Sequence, residues 1–293
     1  MQEFAGRVAV VTGSGSGIGE ALARRCARAG MKVVLADIDT AAAERVREAL
    51  ANEGCDALAI QTDVADAASV ESLAERSFGH YGGVHVLCNN AGIVPSGRHR
   101  PVWELPLEDW RWSFDVNLMG VVHGMRSFVP RMLAQNSPAH IVNTASVAGL
   151  VSGSGSSAYS AAKHAVVRVT KALYAGLRER GAPIGVTLLC PGLVATRIYE
   201  SERNRPSRHR LQRGAAAESP ELQAVAGNLI QNALAPQEVA EQTFAAIRDN
   251  RLYQLTTTSF DDAVRERAEA ILARRNPEFP DLMALSRRDS RRV

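Results

Sequence analysis

Tyr159 and Lys163 stand four residues apart, a spacing that stacks them on one face of a helix. A phenol ordinarily ionises near 10, and an ammonium beside it favours the phenolate and lowers that value. The pair therefore reads as a candidate general base able to take a proton from an alcohol. Ser146 precedes it across a Gly/Ser-rich loop, Val147 to Ala158, and its hydroxyl can reach the same oxygen. Alone, Tyr-x-x-x-Lys is an ordinary surface pair of a helix. The elements around it decide whether it has chemistry to do.

A second group of residues suits phosphate binding. Arg7 to Thr12 is a short β-branched run, read as a buried strand. Thr12-Gly-Ser-Gly-Ser-Gly-Ile-Gly19 follows, and Glu20 to Ala29 reads as a helix that stops at Gly30. Strand, glycine turn and helix in succession let the backbone approach a pyrophosphate at the helix N-terminus. Gly13, Gly17 and Gly19 make the turn, and Ser14, Ser16 and Ile18 lie between them. Lys32 to Asp37 is the second strand. Its terminal Asp37, 24 positions after Gly13, stands where a carboxylate accepts hydrogen bonds from an adenosine ribose. It would repel a 2′-phosphate, and no Lys or Arg at 14, 16 or 38 offsets that; position 38 is Ile38. The expected cofactor is NAD rather than NADP. Asp39 suits an N-cap for the helix read over 41–50.

The alternation continues. Strands are expected at 57–61 (ending at Asp63-Val64), 84–87, 140–144, 184–190 and 252–256. Helices are expected at 67–81, 108–135, 157–180, 236–250 and 260–275, with Pro130 predicting a kink or break. Strands alternating with helices imply right-handed crossovers and a parallel sheet covered on both faces. The fold class is α/β: a Rossmann-like doubly wound sheet of about seven strands. We expect a single domain over 1–293, with a substrate lid inserted at 197–235 and a C-terminal extension over 258–293. The candidate motifs follow strand C-terminal ends or open the next helix, which is where such sheets bind ligands.

The totals agree. The chain has 293 residues, 46% hydrophobic and 22% charged, with a formal net charge of +3. That balance gives no reason to expect nucleic acid or an anionic membrane as partner. The N-terminal residues lack the apolar core of a signal peptide, and no apolar run approaches membrane-spanning length. Cys26, Cys55, Cys88 and Cys190 are scattered, so reduced thiols are expected, with no disulfide framework and no metal site. The expected location is cytoplasmic.

Together these motifs resemble the short-chain dehydrogenases/reductases over about residues 5 to 196. The glycine turn Thr12-Gly13-x-x-x-Gly17-x-Gly19 has the family's form. Asp63-Val64 matches its adenine-contacting pair, and Asn89-Asn90-Ala91-Gly92 its motif after the fourth strand. Asn117 matches its catalytic asparagine, completing a tetrad with Ser146, Tyr159 and Lys163. Pro191, Gly192, Val194 and Thr196 match the segment that holds the nicotinamide. The resemblance implies an NAD-dependent alcohol dehydrogenase or ketone reductase in which Ser146 and Tyr159 hold the substrate oxygen. Lys163 then lowers the tyrosine pKa and binds the nicotinamide ribose, and Asn117 holds a water leading to solvent. It also implies a homodimer or homotetramer. The long stretch after Thr196 and the extra C-terminal helix resemble the longer members that include Cα-dehydrogenases of aryl-ether alcohols. That points to a bulky secondary alcohol.

Val94, Pro95, Val147, Gly153 and Tyr199 are expected as substrate walls, mostly small or apolar. The arginines of 203–213 are read as a solvated lid face, with capture of an anionic substrate as the alternative. His123 and His164 read as packing or surface residues. Trp110 and Trp112 cannot share a helix face, so one is expected in the core and the other near the surface. Two further functional readings stand beside the main one. One is an NADP-linked reductase of acyl-type ketones; the other is a dinucleotide sensor without catalysis.

Overall fold

The computed structural model describes residues 1–95, 100–151, 153, 156–211, 233–277 and 279. Its frame is a seven-stranded sheet: β1 (Val8–Thr12), β2 (Lys32–Asp37), β3 (Ala57–Gln61), β4 (Val86–Asn89), β5 (Ala139–Thr144), β6 (Ile184–Cys190) and β7 (Tyr253–Leu255). The order is β3-β2-β1-β4-β5-β6-β7, and every pairing is parallel. The chain builds outward from β1 to β3, then returns to place β4 on the other side of β1. That reversal opens a crevice beyond the carboxyl ends of β1 and β4.

The strands are runs of Val, Ile, Leu and Ala because both faces of the sheet are covered. Successive side chains point to opposite faces. Ala9, Val11, Val33 and Leu35 pack against α1 (Gly17–Arg28), α2 (Thr40–Asn52) and α7 (Pro236–Arg248), through residues such as Leu22, Val46 and Val239. Val8, Val10 and Val34 face α3 (Ala67–Tyr81), α5 (Gly120–Gln135) and α6 (Ser157–Glu179), where Leu73, Phe128 and Leu177 meet them. Truncating a fully buried residue such as Phe128 costs about 3–5 kcal/mol. The last helix, α8 (Asp261–Ala273), packs elsewhere. Phe260 just before it and Val264 within it join Val147 and Val151 in a separate apolar cluster.

The structure corrects one local expectation in a way that matters for the site. The helix expected over 108–135 does not break at Pro130, which lies inside α5. Arg131 donates to the Ser127 carbonyl at 2.8 Å, beside the hydrogen bond that the proline cannot make. The irregularity lies earlier. After α4 (Leu107–Ser113) the chain takes a wide π-helical turn over Phe114–Met119, and Asn117 is in it. Such turns insert an extra residue into a helix and are frequent at functional sites. Smaller shifts also occur: the strand expected at 84–87 is Val86–Asn89, and the last strand is only Tyr253–Leu255. Trp112 is the core tryptophan, 1% exposed, and Trp103 is 81% exposed. Among the described residues, no helix is long and apolar enough to cross a membrane.

Candidate active site

The crevice is a cleft of about 750 Å³. Its phosphate end is made by the turn from β1 into α1. Gly13 has φ +66°, and a Cβ there would lie 2.8 Å from the Ala91 Cα. Gly17 has φ +57°, and a Cβ there would press on the Thr196 side chain at 3.0 Å. Both need glycine for conformation and for closeness. Ser16 is the N-cap of α1, but its side chain caps nothing. The first N–H groups of the helix are thus left for another acceptor. This arrangement fits a pyrophosphate.

Asp37 closes the end of β2. Its carboxylate accepts from the Gly15 N–H at 2.8 Å and from the Asp39 N–H at 2.9 Å. Burial pushes its pKa above the usual carboxylate range, and those two N–H groups pull it back. Asp63 accepts from the Ala65 N–H at 3.0 Å. The strand ends are tied together by Thr12, whose hydroxyl accepts from the N–H of Asn90 (2.9 Å) and of Ala91 (3.1 Å). On the far side, the Pro191 carbonyl accepts from the Val147 N–H at 3.0 Å, and Thr256 accepts from the Gly192 N–H at 3.1 Å.

The reacting end is built by β5 and α6. Ser146 follows β5, and its hydroxyl accepts from the Ala148 N–H at 3.1 Å. Lys163 is buried; its ammonium donates to the Thr144 carbonyl at 2.8 Å and lies 5.6 Å from the centre of the Tyr159 ring. Asn117 is fully buried behind them. Its Oδ1 accepts from the Ile93 N–H at 2.9 Å, and its Nδ2 donates to the Ile93 carbonyl (3.0 Å) and the Ser113 hydroxyl (3.1 Å). The side chain therefore staples the π-helical turn to the segment after β4.

One electrostatic expectation is reversed in the protein alone. Burial raises the Tyr159 phenol above its ordinary value, and the Ser146 hydroxyl only partly opposes this. The same burial lowers Lys163 to about 8. Two groups that were expected to favour each other's charge are first governed by desolvation.

The predicted residues converge. All of the expected cofactor and substrate residues line this one cleft except Ser14, Pro95 and Asn117. Ser14 is fully buried, and its hydroxyl donates to the Ala36 carbonyl. Pro95 is buried but outside the lining, next to Val94, whose N–H donates to the Ser201 hydroxyl. Gly15, Trp112 and Phe260 line the cleft without having been foreseen, and Arg208, read as a lid face or an anion contact, lines it too. Gly15 was legible inside the glycine turn. Phe260 had no signal, because only packing brings the C-terminal helix to Val147.

The arginine stretch also departs from expectation. Short 3-10 turns at Ile198–Asn204 and Ser207–His209 carry it over the cleft. Arg205 is no solvated surface residue. It is 7% exposed, bonds Asp109 at 2.5 Å and Glu202 at 2.6 Å, and lies 4.2 Å above the Trp112 ring. Asp109 itself is 1% exposed. His209 is buried with Nε2 at 3.0 Å from Asp115. The part of the lid over 212–232, with Arg213, and most of the C-terminal tail lie outside the described residues.

Comparison with known proteins agrees with this geometry. The family model described as short chain dehydrogenase matches residues 7–207. A "CLA biosynthesis dehydrogenase/reductase" of Lactiplantibacillus plantarum is 33% identical over 95% of this chain and 97% of its own. A 1-deoxy-11-beta-hydroxypentalenate dehydrogenase of Streptomyces exfoliatus is 47% identical over 66% of this chain and 70% of its own. A C alpha-dehydrogenase of Sphingobium sp. strain SYK-6 is 31% identical over 93% of this chain and 87% of its own. Among solved structures, a short-chain dehydrogenase/reductase of Burkholderia phymatum in complex with NAD superposes with a TM-score of 0.88. It is 44% identical, over 96% of this chain and 99% of its own.

Proposed function

The chain belongs to the short-chain dehydrogenase/reductase family, an oxidoreductase family of alcohol/ketone chemistry with a nicotinamide cofactor, and from that premise we propose an NAD-dependent dehydrogenase of bulky, apolar secondary alcohols. One observation carries the reading. Ser146, Tyr159 and Lys163 lie at the wall of the same cleft that Gly13, Gly17 and Asp37 line at its other end. The residues fit a dinucleotide by the glycine cradle and the uncapped N-terminus of α1. Gly13, Gly17 and Gly19 would hold its pyrophosphate, Asp37 its adenosine ribose, and Pro191, Gly192, Val194 and Thr196 its nicotinamide half. The nicotinamide supplies the acceptor for the carbinol hydride in oxidation and the donor in reduction.

The side chains do the rest. Ser146 and Tyr159 hold the substrate oxygen by hydrogen bonds. In oxidation the Tyr159 phenolate takes the hydroxyl proton, and in ketone reduction the phenol returns one. Lys163, beside the tyrosine ring, offsets the desolvation of the phenolate once a substrate excludes water. Asn117 spends its side chain on the Ile93 peptide and Ser113, which leaves its main-chain carbonyl as the group that would hold a water between Lys163 and solvent.

The substrate end of the cleft is apolar. Val94, Trp112, Val147, Val151, Ile198 and Phe260 line it. That suits an alicyclic or aromatic alcohol better than a polyol. The hydroxypentalenate in the name of the Streptomyces relative supports bulk of this kind. Secondary alcohols of graded size, assayed for NADH formation, test the reading. We expect cyclic and aryl alcohols to outrun short linear ones, and no turnover with any of them would leave a binding protein without catalysis. Titration with NADPH tests the cofactor; tighter binding than NADH would refute the role given to Asp37.

A further inference from the structure

We infer that Arg208, with Arg203 beside it, clasps the adenosine half of the cofactor, so that the arginine segment serves the dinucleotide rather than an anionic substrate. The inference rests on the dinucleotide reading of the cleft. Arg208 donates to Asp63 at 2.8 Å across 145 positions of sequence. Both residues line the cleft, on the side of Asp37 and Ile38, while the reacting Tyr159 lies at its other end. Asp63 has given one oxygen to the Ala65 N–H and the other to Arg208. A carboxylate has about four acceptor positions, so an adenine amino group still finds one.

Arg203 faces the other acid of this end. Its guanidinium donates to the carbonyls of Arg197 (3.0 Å) and Glu200 (2.9 Å), which fixes its stem along the 3-10 turn. It also lies close enough to Asp37 to favour that carboxylate's charge. Arg208 thus pairs directly with Asp63, and Arg203 lines the same cleft as Asp37 with its guanidinium on the Arg197 and Glu200 carbonyls.

The strap has a firm base for this. Arg205, between the two clasp residues, is seated on Asp109 and the Trp112 face, and His209 on Asp115. Those contacts hold the segment from the substrate side, and Arg203 and Arg208 extend from it to the adenosine side. The Arg208 side chain is 49% exposed. A pair that open contributes little to folding, so fold stability gives no account of its position. A planar guanidinium at the rim can lie on the face or edge of a purine.

The test measures NADH binding to the full chain by fluorescence titration, and ADP-ribose binding by displacement. ADP-ribose carries the adenosine and pyrophosphate without nicotinamide. Arg208→Ala should raise both Kd values together by about tenfold. kcat at saturating NAD and KM for the alcohol should stay within about twofold. Arg203→Ala should act in the same direction, and Arg208→Lys should recover only part of the loss, because an ammonium lacks the planar fork. Unchanged or tighter binding of both ligands by Arg208→Ala would overturn the inference. So would a loss confined to NADH with ADP-ribose unaffected, which places the effect at the nicotinamide. Failure of the unmutated protein to bind NADH is a different result, and it would overturn the dinucleotide reading itself.

Discussion

The wall that carries Tyr159 and the strap that crosses above it are held by opposite means. The wall is fixed by short contacts to backbone: Lys163 on the Thr144 carbonyl, Asn117 on the Ile93 peptide, Thr12 on the N–H groups of Asn90 and Ala91. The strap is fixed by long charged side chains reaching acids far away in sequence, Arg205 to Asp109 and Arg208 to Asp63. Backbone contacts position atoms for proton and hydride transfer. Charge pairs tolerate displacement and can be remade around a ligand. Chemistry has been given the stiffer construction and enclosure the more adaptable one.

Breaking each side of that contrast has a different signature. Removing the base on the wall should have the largest effect. Tyr159→Phe should lower kcat by about 10²–10⁴-fold while NADH binding stays within a few-fold. Retained turnover in steady-state assays would exclude Tyr159 as the base. At the strap, Arg205→Ala strands a buried Asp109 carboxylate, and a loss of about 3–5 kcal/mol in urea unfolding is expected. A loss below about 1 kcal/mol would show the pair to be as weak as a surface bridge.

The pH response tests the wall again. Burial holds Tyr159 above its ordinary pKa, and oxidation needs the ionised form. kcat/KM for the alcohol should therefore climb with pH by roughly tenfold per unit below the apparent pKa of the Tyr159–Lys163 pair, and ketone reduction should not share that climb. A flat oxidation profile from pH 6 to 9 would contradict this. The smallest effect is expected at the rim. Asp37→Ala should weaken NADH by about tenfold, as loss of charged hydrogen bonds does, and narrow the gap to NADPH. Binding titrations with both cofactors check it.

What sequence made legible follows the same division. Gly13, Asp37, Asn90, Ser146 and Tyr159 each follow the end of a strand or open the helix after it, and local pattern finds strand ends well. The sheet itself was legible for that reason. Pro130 misled, because the helix carries it without breaking, and the real irregularity at Phe114–Met119 has no glycine or proline to mark it. The Tyr159 pKa was misjudged because spacing reveals a neighbour and not the depth of burial. Phe260 and the Arg208–Asp63 contact depend on which distant segments fold together, and no local pattern encodes that.

The parallel bridge between Val194 and Leu234 carries one more consequence. The Ala195 N–H donates to the Leu234 carbonyl at 2.9 Å, and the Leu234 N–H to the Leu193 carbonyl at 3.2 Å. The segment between Val194 and Leu234 is thus closed at its two ends. A loop closed in this way can lengthen at little entropic cost without moving a strand, provided the anchors at Ser201, Arg205 and His209 are kept. In evolutionary terms the bridge is a socket. Variation within the closed loop, outside those anchors, leaves the proton-transfer residues where they stand.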